Sequence, residues 1–102
     1  MLEQLRRERP DARVALAFLE LMTPSLPDVL HDLAADGVTQ IAIVPVFFGV
    51  GNHVARDLTE HVDAFKEQHP SIQITIAPAV GQSSLVLDAM VKHASACAVV
   101  RA

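Results

Sequence analysis

The stretch FFGVGNHVARD, residues 47–57, puts His53 just after a Gly-x-Gly loop, Gly49 to Gly51, where an apolar run gives way to a charged helix. A histidine at a helix start faces the positive end of the helix dipole, which disfavours the imidazolium and leaves a neutral ring able to take a metal ion or a proton. The same position suits a residue that merely caps the helix, and spacing alone does not separate the two. Glu20 closes the apolar run VALAFLEL, residues 14–21. A carboxylate at a strand end can serve as a general base, or it can pair with a nearby arginine at the surface.

The other histidines read as structural or solvated. His31 falls on the polar side of a helix, His69 ends a helix beside Pro70, and His93 lies on a surface or half-buried face. His61 follows His53 by two helical turns on roughly the same side, which allows a role behind the site, although two histidines alone do not make a closed metal site. Gly49 and Gly51 lack the third glycine of a dinucleotide fingerprint and the Lys-Ser/Thr of a P-loop, so no nucleotide cofactor is expected. No Gly-x-Ser-x-Gly elbow occurs, and the single Cys97 is badly placed for a Cys-His nucleophile.

The elements that must position these residues alternate along the chain. MLEQLRRER reads as a helix stopped at Pro10, and the first part of residues 14–21 as a buried strand. Ser25, with Asp28 three residues on, begins an amphipathic helix carrying Leu26, Val29, Leu30 and Leu33, which Gly37 ends. TQIAIVPVFF, residues 39–48, reads as a central parallel strand whose regular pairing stops near Pro45. A helix over 53–68 presents Val54, Leu58, Val62 and Phe65. A strand follows at SIQITIAP, nearer a sheet edge, and a last helix over 83–96 has Val86, Ala89, Met90 and Ala94 on its apolar side. Such alternation gives right-handed βαβ crossovers, a parallel sheet covered by helices on both sides, and a ligand rim beyond the carboxyl ends of the strands.

Composition agrees with one α/β domain over residues 1–102. Hydrophobic residues make up 51% of the chain, with no Trp, no Tyr and four Phe, so Val, Ile, Leu and Ala must build the core. A net charge of −4, without a basic run, speaks against nucleic acid. No signal peptide or membrane span is expected, and one unpaired cysteine, read as buried, fits a soluble protein of the reducing cytoplasm.

AFLELMTPSLPDVL, IAIVPVFFGVGNHVARDL and IAPAVGQ together resemble the small sirohydrochlorin chelatases of the CbiX type, relatives of the class II chelatases that include protoporphyrin ferrochelatase. The resemblance runs from about Ala12 to Leu87. It implies a three-layer αβα fold and insertion of a divalent metal substrate, Co²⁺ or in some members Fe²⁺ or Ni²⁺, into sirohydrochlorin without ATP, in cobalamin or sirohaem synthesis. His53 then looks like a metal ligand and Glu20 like the conserved acidic residue, a ligand to the ion and acceptor of the displaced pyrrole protons. Phe47, Phe48, Gly49 and Gly51 would line the macrocycle, unless the two Phe belong to the core. Arg56, with Arg13 and Lys66 the other candidates, would supply a cationic rim for its carboxylates. Small members work as homodimers, for which the tail CAVV offers an added strand or an interface.

Longer members begin with a strand ending in a second His within His-Gly-Ser, and this sequence has no counterpart of that first strand. A strand lying outside this sequence, a strand supplied by another chain, or a lost activity would each account for the difference. The last of these leaves a catalytically silent module for tetrapyrrole binding or dimerisation as the alternative function.

Overall fold

The structure is a computed structural model that describes residues 1–19, 22–48 and 51–97. Its described elements are four α-helices, a short 3-10 turn and two strands, and they confirm the α/β class. Helix α1, Leu2–Glu8, has Glu3 in its first turn and Arg6 and Arg7 in its last, matching the helix dipole at both ends. It buries nothing. The Arg6 guanidinium turns back to donate to the Val14 carbonyl, Nη2 to O at 3.0 Å.

Residues 13–17 are the first departure from expectation, for no ladder forms there and Leu16 is exposed. An apolar run becomes a strand only beside another strand. Among the described residues none lies alongside this one, and the Val14 carbonyl is already taken by Arg6. One bridge survives, between Phe18 and Ser25, through Phe18 N–H to Pro24 O at 2.8 Å and Leu26 N–H to Phe18 O at 2.9 Å.

Helix α2, Leu26–Ala35, is capped as expected: Ser25 Oγ accepts from the Asp28 amide at 3.3 Å. It ends in a Schellman arrangement. Gly37 takes φ +82°, its amide donates to Ala34 O at 3.1 Å, and the Val38 amide donates to Leu33 O at 3.2 Å. That turn sends the chain into β1, Gln40–Ile43, which pairs in parallel with β2, Gln73–Ile76, Ile41 beside Ile74 and Ala42 beside Thr75.

Ile41 and Ile74 face the core with Leu26, Leu30 and Leu33 of α2 and with Leu58, Val62 and Phe65 of α3, Asn52–Gln68. Gln40, Ala42, Gln73 and Thr75 lie exposed on the other face, where the two glutamines meet at 3.4 Å. The described sheet is therefore buried on one face, not two. The apolar text of β1 extends beyond its ladder because Pro45 has no N–H to give.

The last helix, α4, Ser84–Cys97, differs most from its reading. No residue of it is buried, only Val86 of its expected apolar side is even half-covered, and Leu85 is 81% exposed. Of the described elements it touches only the 3-10 turn at Val80–Gln82. The radius of gyration is 16.6 Å, against about 13 Å for a compact chain of this length. Cys97, expected to be buried, is exposed for the same reason, with its Sγ 3.8 Å from His93 Nε2. The CAVV tail beyond Cys97 lies outside the described residues.

Candidate functional site

The rim at the carboxyl end of β1 is assembled from three pieces of chain. After Ile43 the backbone continues through Pro45 to Phe48, while the segment after β2 runs beside it: Ala77 N–H donates to Ile43 O, Val80 N–H to Pro45 O and Gly81 N–H to Phe47 O, at 2.8, 3.0 and 3.0 Å. Helix α3 then begins with Gly51 as its N-cap, in extended conformation and with no side chain to offer the helix.

His53 is in the first turn of α3, and its imidazole does not cap that turn. Its side chain is 76% exposed and reaches forward along the helix, Nε2 lying 3.4 Å from Asp57 Oδ2. The capping alternative is thereby set aside. The Asp57 carboxylate lies beside Nε2 at ion-pair distance and the ring is otherwise exposed, the disposition of an imidazole open to an ion or a proton with a carboxylate next to it. Asp57 is the residue that sequence reasoning passed over as one more charge on a polar face. Its spacing of four from His53 is the signal that identifies it. His61, one turn further on, is half-buried. Among the described residues no three His, Cys, Asp or Glu side chains stand close enough to hold a metal ion together. Glu20 and Gly49 lie outside the described residues.

Phe48 is 67% exposed and Phe47 is also at the surface, so neither belongs to the core. Arg56 is exposed and makes no ion pair among the described residues. Of the other two cations expected at the rim, Arg13 is paired with Asp36. Lys66 is 13 residues along α3 from His53, about 20 Å at 1.5 Å per residue. It lines a hollow of about 480 Å³ with Pro70, Ile72 and Thr75, at the other end of the sheet. A second hollow, of about 330 Å³, lies between α1 and α2 beside Arg6 and Arg13. Neither includes His53, and among the described residues no unpartnered buried polar atom marks either as a built site.

A parallel α/β sheet with a histidine at the helix start beyond a strand's carboxyl end defines a class of ligand-binding domain. Comparison with known proteins fixes the family: CbiX matches residues 1–97, and the chain belongs to it. It is 30% identical over 86 residues to the sirohydrochlorin cobaltochelatase of Saccharolobus solfataricus, covering 78% of this chain and 67% of that one. It is 26% identical over 78 residues to the sirohydrochlorin ferrochelatase of Priestia megaterium, covering 76% and 29%. The crystal structure of a CbiX protein from Marinobacter aquaeolei VT8 superposes with a TM-score of 0.68 at 25% identity, over 94% of this chain and 83% of that one. The chain spans 36% to 67% of the length of three cobaltochelatases it matches. No described helix is long and apolar enough to cross a membrane.

Proposed function

We propose that this chain inserts a divalent metal ion into sirohydrochlorin, without a nucleotide, as a step of cobalamin or sirohaem biosynthesis. The observation that carries the reading is His53: an exposed imidazole steadied by Asp57 in the first turn of α3, in a chain of the CbiX family. Metal insertion needs a ligand that holds the ion loosely and releases it, and an acceptor for the two pyrrole protons that leave as the ion enters. His53 is the proposed ligand. Glu20 is the proposed proton acceptor and a second ligand. Phe47 and Phe48 offer exposed aromatic surface to a flat macrocycle, and Gly49 and Gly51 are proposed as further substrate-lining residues. Arg56, exposed and in no ion pair among the described residues, is the proposed cation for one of the macrocycle's carboxylates. Co²⁺ is the proposed metal, with Fe²⁺ and Ni²⁺ as competitors, since imidazole and carboxylate donors suit all three. A cytoplasmic homodimer is the proposed assembly.

The test follows the absorbance of sirohydrochlorin with Co²⁺, Fe²⁺ or Ni²⁺ in the presence of the chain and of its His53→Ala form. The parent accelerates insertion over the spontaneous rate, and His53→Ala loses at least tenfold of that acceleration. A parent no faster than the spontaneous reaction sinks the reading.

A further inference from the structure

The segment APAVGQ, residues 77–82, that follows β2 belongs neither to the sheet nor to the proposed chemistry, yet its backbone runs beside the rim. Val80 N–H and Gly81 N–H hold the carbonyls of Pro45 and Phe47, and the preceding Ala79 is buried. At Gly81 the two chains come closer than a side chain permits. A Cβ built there lies 2.6 Å from both Cα and C of Phe48, and nearer still to its carbonyl oxygen. These are main-chain atoms, which cannot rotate aside. The same construction at Gly51 meets nothing within 4 Å. What Gly81 provides is room for two backbones in contact, the second use of glycine besides conformational freedom.

We propose that Gly81 is a positioning residue for macrocycle binding: it lets the turn at Val80–Gln82 clamp the main chain of Phe47 and Phe48, and so fixes how the exposed Phe48 ring stands at the rim. The inference rests on the function proposed above for its substrate, but not for the clamp itself. Gly81 acts on the aromatic wall and not on His53. Its loss therefore raises KM for sirohydrochlorin about tenfold, as a misplaced binding group does, while KM for Co²⁺ and kcat stay within about twofold.

The chain has no Trp or Tyr, so Phe48→Trp places a lone fluorophore on the wall. Gly81→Ala in that background displaces the indole, read as a shift in emission maximum and in acrylamide quenching. Val80→Pro is the second variant. It deletes only the amide that holds Pro45 O, at the first position of the 3-10 turn and after Ala79 in an extended conformation (φ −58°, ψ 149°) that tolerates a following proline. It moves the indole in the same direction by less. Val62→Ala, a core truncation that lowers stability away from the rim, leaves the emission and KM for sirohydrochlorin unchanged. If the indole is unmoved in folded Gly81→Ala and Val80→Pro, the clamp is wrong. If the indole moves while KM for sirohydrochlorin does not, the positioning role is wrong. A parent that neither binds nor metalates sirohydrochlorin overturns the assigned substrate and with it the role, while the fluorescence still decides the clamp.

Discussion

Helices α3 and α4 each follow a strand of the same sheet, and they meet opposite fates. Helix α3 carries Arg56, Asp57, Glu60, Asp63, Lys66 and Glu67, yet buries Leu58, Val62 and Phe65 against the sheet and α2. Helix α4 carries only Asp88 and Lys92 as full charges and buries nothing, with Leu85 and Val91 at 81% and 67% exposure. The more apolar helix is the more exposed one. In α3 the apolar residues share one stripe, which defines a face and a place to put it. In α4 they spread over most of the circumference, so no single orientation on one small sheet covers them.

The sharpest way to break this comparison is to truncate one large side chain in each helix. Phe65→Ala removes a ring that is only 5% exposed and belongs to the core cluster, and costs about 3–5 kcal/mol. Leu85→Ala on α4 changes stability by no more than about 0.5 kcal/mol. Urea unfolding midpoints at constant m-value measure both. Equal losses in the two variants would mean that α4 is packed in solution as tightly as α3.

The two ends of α3 give a second contrast. At its C-terminal end, His69 lies against the Phe65 ring, centroids 4.7 Å apart, and its amide closes the helix on Phe65 O at 2.9 Å. At its N-terminal end, His53 stands in solvent with Asp57 as its partner. One histidine finishes a helix, and the other is held out from one. Asp57→Asn separates support for a bound ion from support for the fold. Co²⁺ affinity, followed by titration calorimetry, falls about tenfold, the usual cost of losing a carboxylate behind a ligating histidine. The unfolding free energy moves by only about 0.5 kcal/mol, as for a helical pair at this spacing with one partner in solvent. An unchanged affinity would remove Asp57 from the site.

Local rules made much of this legible. Ser25 with Asp28, and Gly37 at the end of α2, are signals carried by two or three adjacent residues, and both work as read. Leu58, Val62 and Phe65 obey a period set by the helix itself. What sequence reasoning missed depends on neighbours. Val14 to Leu16 have strand composition but no described strand beside them, and Cys97 has buried-type surroundings in sequence but lies on a helix with no layer beneath it. At the rim, His53 was visible because it stands next to glycines, whereas Asp57 required counting four residues along a helix. The need for glycine at 81 was invisible without the approach of Phe48.

The smallest expected effect concerns the end of α1, the other described α-helix that buries no residue. Arg9 holds Asp11 through two hydrogen bonds, Nε to Oδ1 at 3.0 Å and Nη2 to Oδ2 at 2.9 Å. The hydrogen bond from Arg9, and then one to its own backbone, keep the Asp11 carboxyl below its ordinary value of 3.8. A carboxylate whose folded value is depressed favours the folded state above its unfolded value, and that contribution is lost as pH falls through the lowered one. The pair is fully exposed and its helix touches no core, so water and salt screen most of that contribution. Carbon-detected NMR titration of Asp11 therefore gives a midpoint below 3.8 that rises toward it in Arg9→Ala, while the acid-unfolding curves of the two proteins overlay. A displaced unfolding curve would show that α1 is coupled to the α2–sheet–α3 core, and the contrast between covered and uncovered elements would then hold for α4 alone.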